Sequence, residues 1–441
     1  MSMVVKNNMS AISTLNTLNK NSSALAKSLQ KVSSGMKING AADDASGYAI
    51  SERMRVQIRG LDQANSNTQN GNSMMKVAEG AVSSTVDILK TLKEKVINAA
   101  NDTNTDSDRQ TIQKELDQSI DQIDDNANIT FNGKYLVDGS HNNKVTQTCT
   151  SLTNESMFSA TTGSTAMTAL QNRNGENLNI HCTDNVTVSY VKQGKTYSTT
   201  FSIGSCTLNN IVNSVSTAMN GTEKGSSVIS LTSETAKIGL DTSGNTVYTA
   251  DNGNAITLSA TASGVNHQIS GFTISISDNT GAINKSANAV LDAFDEKIRA
   301  QNKSDDNAIV LQVGTKANQA IKVGLTDMRS NALGLKGTDG ETLNVSTQVK
   351  ANAAINVLDN AIQKALDQQT TIGSVESRLS YTSSNLTTAS ENVQASESTI
   401  RDADMAKEMT EYTKNNVLLQ AAQSMLAQAN QSSSSVLSLL Q

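Results

Sequence analysis

The 441-residue sequence contains no proline and no tryptophan, and its only aromatic residues are seven tyrosines and five phenylalanines. Without proline, nothing in the chain forces a long helix to break. With so few aromatic side chains, one large hydrophobic core is disfavoured, because aromatic residues supply much of the area that such cores bury. These absences favour extended helices over a single deep core.

Other absences exclude several classes of function. No apolar run reaches about 18 residues, so we expect no membrane insertion. The net charge of −6 gives no reason to expect nucleic-acid binding, which requires a concentrated basic surface. The motifs HExxH, CxxC, GxSxG, GxxxxGK[ST] and GxGxxG are all missing. We therefore expect no enzyme, no cofactor and no metal.

The sequence has only three cysteines, Cys149, Cys182 and Cys206. They are too few and too scattered for a disulfide framework. Two interpretations remain at this point. One is a single disulfide plus a leftover thiol, if the protein is extracellular, and the other is three unpaired thiols.

The N-terminal part shows apolar residues at helical spacing. One narrow stripe covers residues 5–32, and further helical patterns cover 74–96 and 112–127, the last with Asp106 or Ser107 as its N-cap. The first stripe consists of Val5, Ile12, Leu15, Leu18, Leu25, Leu29 and Val32.

The C-terminal part carries the strongest pattern in the chain. A strict heptad places apolar residues at Leu358, Ala365, Ile372, Leu379, Leu386, Val393 and Ile400. Such a repeat calls for partner helices in a left-handed coil. A further stripe continues through Met405, Tyr412, Leu419, Leu426 and Leu440.

The middle, about 141–305, changes to the alternation typical of strands. The predicted elements are a hairpin of 186–190 and 197–203 around Gly194, strands at 256–258 and 272–276, helices at 208–219 and 286–300, and a second small hairpin of 309–313 and 321–323.

Neither end can bury much apolar area alone, because each stripe is narrow. One interpretation is a monomeric helical bundle with an inserted β domain. The other is that the two ends pair and then pack against neighbouring copies. Length and aromatic poverty favour the second, since a chain that cannot complete its own core gains stability by assembly.

A group of arginines, Arg53, Arg55 and Arg59, follows the segment 48–50. Arg55 and Arg59 share a helix face. They form either a solvated basic face or a contact with acidic residues of a neighbouring subunit, and the sequence alone does not separate the two.

Five short segments give the chain a specific resemblance. They are SSGMKIN at 33–39, DDASGYAISERMR at 43–55, QIRGL at 57–61, SMLAQAN at 424–430 and VLSLL at 436–440. In this order, and at both ends, they closely resemble the bacterial flagellins. The resemblance covers about 1–140 and 306–441.

The resemblance implies a mainly α fold with an inserted β-rich domain. Both chain ends would form a long antiparallel helical rod and coiled coil with a small β-hairpin, and an α+β insert would face outward. The implied domains are 1–42 and 401–441 as inner-core helices, 43–140 and 306–400 as the rod, and 141–305 as the variable insert.

The implied function is that of a structural subunit which self-polymerises into the extracellular flagellar filament and supports swimming. Export would occur in the unfolded state through the flagellar type III apparatus. Implied partners are identical subunits, a filament cap, hook-associated junction proteins and a chaperone on the C-terminal helix. A filament-borne enzyme and a junction protein are the rival interpretations, and the missing HExxH argues against the first.

Subunit packing is expected at Val5, Ile12, Leu18, Leu25, Leu29, Arg53, Arg55, Arg59, Tyr412, Leu419, Leu426 and Leu440. The resemblance also places an innate-receptor patch, for a Toll-like receptor, at Leu89, Thr91, Lys95 and Glu115. Thr91 stands where recognised relatives have arginine, and Lys95 where they have leucine. We therefore expect weak recognition.

Overall fold

The computed structural model describes residues 8–218, 229–235, 237–248 and 254–438. Val5 and Leu440 lie outside these ranges. The helices are α1 (Met9–Ser34), α2 (Ala45–Ala99), α3 (Asp106–Ala127), α4 (Leu208–Ala218), α5 (Lys285–Leu291), α6 (Gln348–Arg401) and α7 (Met405–Ser438). The expectation of a mainly helical chain with an inserted β-rich region is confirmed.

Thirteen strands lie between α3 and α6 among the described residues. They are β1 (Thr130–Phe131), β2 (Lys134–Tyr135), β3 (Ser151–Asn154), β4 (Asn185–Lys192), β5 (Lys195–Ser202), β6 (Ile229–Thr235), β7 (Lys237–Leu240), β8 (Thr246–Tyr248), β9 (Asn254–Ala260), β10 (Ile269–Ser277), β11 (Asp295–Ile298), β12 (Ile309–Gln312) and β13 (Ala320–Val323).

The described chain divides into two compact units. One comprises residues 8–68, 312–319 and 381–438, and the other comprises 69–311 and 320–380 within the described ranges. Helices α2 and α6 contribute to both units.

The end of α1 follows directly from the sequence. Gly35 adopts a left-handed conformation with φ of 70°, and its N–H donates to the carbonyl of Lys31. Glycine adopts this conformation without the steric cost that a side chain would impose. The chain then turns toward α2, where the carboxylate of Asp44 accepts from the N–H groups of Ser46 and Gly47.

The predicted N-cap of α3 was wrong. The cap is Thr105, not Asp106 or Ser107. Its hydroxyl accepts from the backbone N–H of Asp108, and the Asp108 carboxylate accepts from the N–H of Thr105. This reciprocal capping box satisfies two N–H groups at once, which a single cap at 106 or 107 would not do.

The described part of the β-rich region contains two larger antiparallel sheets and a two-stranded sheet of β7 and β8. The first has the strand order β10-β4-β5 and the second β11-β3-β9-β6. The predicted hairpin around Gly194 is confirmed as β4 and β5, and Tyr190 stacks on Tyr197 across it with ring centroids 5.3 Å apart. The predicted strands at 256–258 and 272–276 lie in β9 and β10, and the small hairpin is β12 and β13.

The predicted helix at 286–300 was wrong in its second half. Helix α5 ends at Leu291, and Asp295–Ile298 forms strand β11 against β3. Sheet pairing satisfies the backbone groups of this segment, and such tertiary pairing overrides a local helical pattern.

Strand β10 packs directly on helix α6. Asn356 and Asn360 donate from their side-chain amides to the carbonyls of Phe272 and Ser270, at 3.2 and 2.9 Å. At Gly271, a Cβ would lie 2.8 Å from a methyl carbon of Val357, so only glycine permits this approach. The β-rich region is thereby fixed to the long helix.

All three cysteines are free thiols. Within the described ranges, no helix is long and apolar enough to cross a membrane. No group of three or more metal-ligating side chains occurs in the same part of the chain.

Candidate assembly surfaces

Helices α1 and α7 pair in antiparallel fashion. The polar contacts between described residues of the two helices include Asn8 Nδ2 to the Ala429 carbonyl at 3.2 Å, Asn21 Nδ2 to the Leu418 carbonyl at 3.2 Å, Asn415 Nδ2 to Ser28 Oγ at 3.0 Å, and Lys31 Nζ to Glu408 Oε1 at 3.7 Å. In these contacts the residue numbers increase along α1 as they decrease along α7, so the two helices run antiparallel.

This pair buries very little. Among its described side chains, only Ser28, Ala422 and Ala429 are buried. The large apolar side chains that remain exposed are Met9, Ile12, Leu15, Leu29, Met405, Met409, Val417, Leu418 and Met425. Singly scattered exposed hydrophobic residues are ordinary, but nine large ones on one helix pair indicate an interaction site.

The sequence-predicted packing residues fall on this pair in two groups. One group is half-buried and consists of Leu18, Leu25, Tyr412, Leu419 and Leu426. Ile12 and Leu29 are about half exposed, at 47% and 52%.

The three arginines of α2 differ in their surroundings. Arg55 forms an ion pair with Glu52 at 3.1 Å. Arg53 and Arg59 are exposed and have no ion-pair partner among the described residues. Each of these two guanidinium groups is thus available to solvent or to another molecule.

A buried arginine that the sequence did not single out lies at the end of α6. Arg401 is 6% exposed and donates to Glu52 Oε1 at 2.7 Å. Its guanidinium lies 5.6 Å from the centre of the Tyr48 ring, in cation–π geometry. The hydrogen bond from Arg401 lowers the pKa of Glu52 below its ordinary value, and Arg55 adds to this effect.

Two backbone hydrogen bonds lie next to the contact between Arg401 and Glu52. The Lys37 N–H donates to the Arg401 carbonyl at 2.7 Å, and the Ala403 N–H donates to the Gly35 carbonyl at 2.9 Å. The only sequence signal for Arg401 was a basic residue in the last turn of a helix, which favours the helix dipole and needs no further role.

The heptad positions of α6 are buried to different degrees along the helix. Leu358, Ala365, Ile372 and Leu379 are fully buried, Leu386 is 9% exposed, and Val393 and Ile400 are half-buried. Among the described residues, the apolar cluster beside Leu386 consists of Leu61, Ala64, Ala389 and Val393. The apolar stripe therefore continues beyond the point where the single chain can cover it.

The predicted receptor patch is heterogeneous. Leu89 is fully buried in the packing of α2, whereas Thr91 is exposed and donates to the Asp87 carbonyl. Lys95 on α2 forms an ion pair with Glu115 on α3 at 3.1 Å. The surface at this patch consists of Thr91, Lys95 and Glu115.

Comparison with known proteins gives consistent matches. Residues 5–142 match the family model described as the bacterial flagellin N-terminal helical region, and 355–440 match the bacterial flagellin C-terminal helical region. A flagellin of Clostridium tyrobutyricum is 33% identical, covering 97% of this chain and 99% of the relative. A flagellin of Bacillus subtilis (strain 168) is 30% identical, covering 99% and 100%.

Among solved structures, flagellar hook associated protein-3 from Legionella pneumophila superposes with a TM-score of 0.33 and 15% identity. The match covers 78% of this chain and 97% of that protein.

Proposed function

The chain belongs to the bacterial flagellin family and is a flagellar filament subunit, and from this premise we propose that it polymerises with identical copies into a helical tube that supports swimming. The observation that carries the proposal is the α1–α7 pair, which leaves nine large apolar side chains exposed and buries only three small residues among those described. Packing the same surfaces of neighbouring copies together would remove this apolar area from water.

We propose the same domain roles as the sequence indicated. Residues 1–42 and 401–441 form the inner core, 43–140 and 306–400 form the rod, and 141–305 form the outward-facing insert. Arg53, Arg55 and Arg59 supply cations for contacts with acidic residues of the next subunit. The role is structural, and no catalytic step is assigned.

The proposed route and partners follow the family. The chain would leave the cell unfolded through the flagellar type III apparatus, and the filament would be extracellular. A chaperone would cover the apolar stripe of α7 before export, because Tyr412, Leu419 and Leu426 lack sufficient cover in the single chain. Further partners would be the filament cap and the hook-associated junction proteins. The vertebrate Toll-like receptor would bind weakly.

Polymerisation is tested with the full chain, a variant lacking residues 1–31 and a variant lacking 405–441. After salt-induced assembly, electron microscopy and sedimentation should show long uniform tubes for the full chain and soluble monomer for both truncations. A variant lacking the exposed insert residues 243–245, part of the turn between β7 and β8, is the control and should polymerise normally. Polymer from either truncation, or none from the full chain, would refute the proposal.

A further inference from the structure

Two ionisable side chains of opposite charge are buried where strand β11 lies against helix α6. Glu296 on β11 has a side chain only 4% exposed, and Lys364 on α6 is 7% exposed. The ammonium group of Lys364 donates to the carbonyl of Ala332 at 2.7 Å and forms no ion pair among the described residues. Its charge is therefore only partly compensated.

Arg299 connects the strand to the helix. Its Nε lies 3.3 Å from Glu296 Oε2, and its Nη1 lies 2.7 Å from Asp367 Oδ2 on α6. The other carboxylate oxygen of Glu296, Oε1, is buried and has no hydrogen-bond partner. A buried carboxylate that leaves one oxygen unsatisfied is costly to keep ionised.

A small cleft of about 110 Å³ adjoins this cluster, and Arg299, Lys364, Asp367 and Gln368 contribute to its wall. The side chain of Gln368 is anchored through Oε1, which accepts from Thr326, while its Nε2 is buried without a partner. The region around the two buried charges thus contains unsatisfied groups on both the strand side and the helix side.

Burial acts on both groups in the direction that disfavours charge. It raises the pKa of Glu296 to about 7, against the opposing influence of Arg299 and Lys364. It lowers the pKa of Lys364 to about 8, against the opposing influence of Asp327 and Glu296.

We propose that the Glu296–Arg299–Lys364 cluster makes the attachment of β11 to α6 sensitive to pH near neutrality, with the strand held more firmly in mild acid. Besides each other, the charged groups that act on Glu296 and Lys364 are Arg299 after β11 and Asp327 on the loop after β13. Asp367 on α6 faces Arg299. The paired strand β3 carries no titratable side chain.

The direction follows from proton counting. When β11 separates from α6, Glu296 enters water and recovers its ordinary pKa of 4.5. Between this value and about 7, the attached state holds a proton that the separated state has released, so attachment strengthens as the pH falls. Lys364 acts oppositely, favouring attachment as the pH rises from about 8 toward 10.5. Attachment is weakest between these two windows.

Hydrogen exchange of the segment 295–301 in the full-length monomer tests this link. Between pH 5 and pH 7.5, after correction for intrinsic exchange rates, protection in the wild type should fall by roughly 50-fold. In Glu296→Gln, which keeps the shape but cannot ionise, most of this pH dependence should disappear. Asp295→Asn removes an exposed carboxylate from the same strand and should behave like the wild type.

Carbon-13 NMR titration of the Glu296 carboxyl in the wild type provides a measurement that needs no variant. A midpoint near pH 7 is expected, and Lys364→Gln should raise it further because the neighbouring cation is removed. A midpoint near 4.5, or the same pH dependence of exchange in wild type and Glu296→Gln, would overturn the proposal. The monomer suffices for both measurements, so a failure to polymerise would not affect them.

Discussion

The guanidinium of Arg401 and the carboxylate of Glu52 meet at 2.7 Å although 349 residues separate them along the chain. Arg401 ends α6, and Glu52 lies in the first turns of α2. Because Arg401 is 6% exposed, its charge depends on this partner and on the face of the Tyr48 ring. The contact therefore fixes how the N-terminal and C-terminal helices of this unit approach each other.

Glu52→Gln should weaken the contact with Arg401 at neutral pH, and it should change how the stability of the fold responds to acid. Since the pKa of Glu52 is lowered in the folded chain, the ion pair stabilises the fold above about pH 4.5 and loses its effect as the pH falls further. We expect a lower thermal midpoint than wild type at pH 7, and a smaller additional loss on acidification to about pH 3. Glu391→Gln, an exposed carboxylate on α6, is the control and should match the wild type. Identical acid sensitivity of Glu52→Gln and wild type would contradict this role.

Leu419→Asp should block polymerisation. Leu419 is half-buried on α7, and in the proposed polymer a charge would be enclosed there without a partner. The monomer concentration in equilibrium with polymer should rise by roughly 100-fold or more, equivalent to about 3 kcal/mol. Gln420→Asp places the same charge on the exposed neighbouring position and serves as the control. Sedimentation measures both, and normal polymer from Leu419→Asp would argue against the surface.

Substitutions at two heptad positions of α6 should affect monomer stability and polymer formation differently. Ile372→Ala opens a cavity at a fully buried position and should cost about 2–5 kcal/mol in monomer unfolding. Val393→Ala lies where the single chain leaves the stripe half covered, so it should cost the monomer less and weaken the polymer more. Denaturant titration of the monomer and sedimentation of the polymer give the two values. Equal effects of the two substitutions on both measurements would count against the distinction.

Signalling through the vertebrate receptor should be weak in the wild type. Thr91 offers no bidentate donor, and Lys95 is held in an ion pair with Glu115. Loss of one anchor costs about 2 kcal/mol, roughly thirtyfold in affinity. Thr91→Arg combined with Lys95→Leu should therefore increase the response in a receptor-reporter assay on purified monomer. Thr111→Arg, at an exposed site on α3, is the control. Full wild-type potency, or no gain in the double variant, would exclude this interpretation.

The spacing of apolar residues predicted the long helix α6 and the β4–β5 hairpin well. In each of them the same apolar spacing is repeated many times. The heptad from Leu358 to Ile400 needs only a single apolar face, and the structure places it in one 54-residue helix. The alternation on either side of Gly194 likewise produced the observed hairpin. Local patterns are sufficient where the same spacing is maintained over several turns or strand residues.

The sequence could not predict contacts that depend on distant partners. Arg401 and Glu52 are each ordinary helix residues until the fold brings them together. The segment 295–298 carries no local signal strong enough to oppose a helix, and β3, more than 140 residues earlier, supplies the pairing that makes it a strand. The burial of Glu296 and Lys364 follows from that pairing and is invisible in the local sequence.

The antiparallel pairing of α1 and α7 also determines when, during synthesis of the chain, α1 can pair. Its contacts join residues 421, 397 and 387 positions apart, so they include almost the longest separations the chain permits. As long as a nascent chain lacks α7, helix α1 has no partner for these contacts, even though α1 itself is synthesised early. Its pairing must wait for the 34 residues of α7, and a chain interrupted earlier retains an unpaired N-terminal helix. This pairing therefore distinguishes chains that contain α7 from chains that lack it.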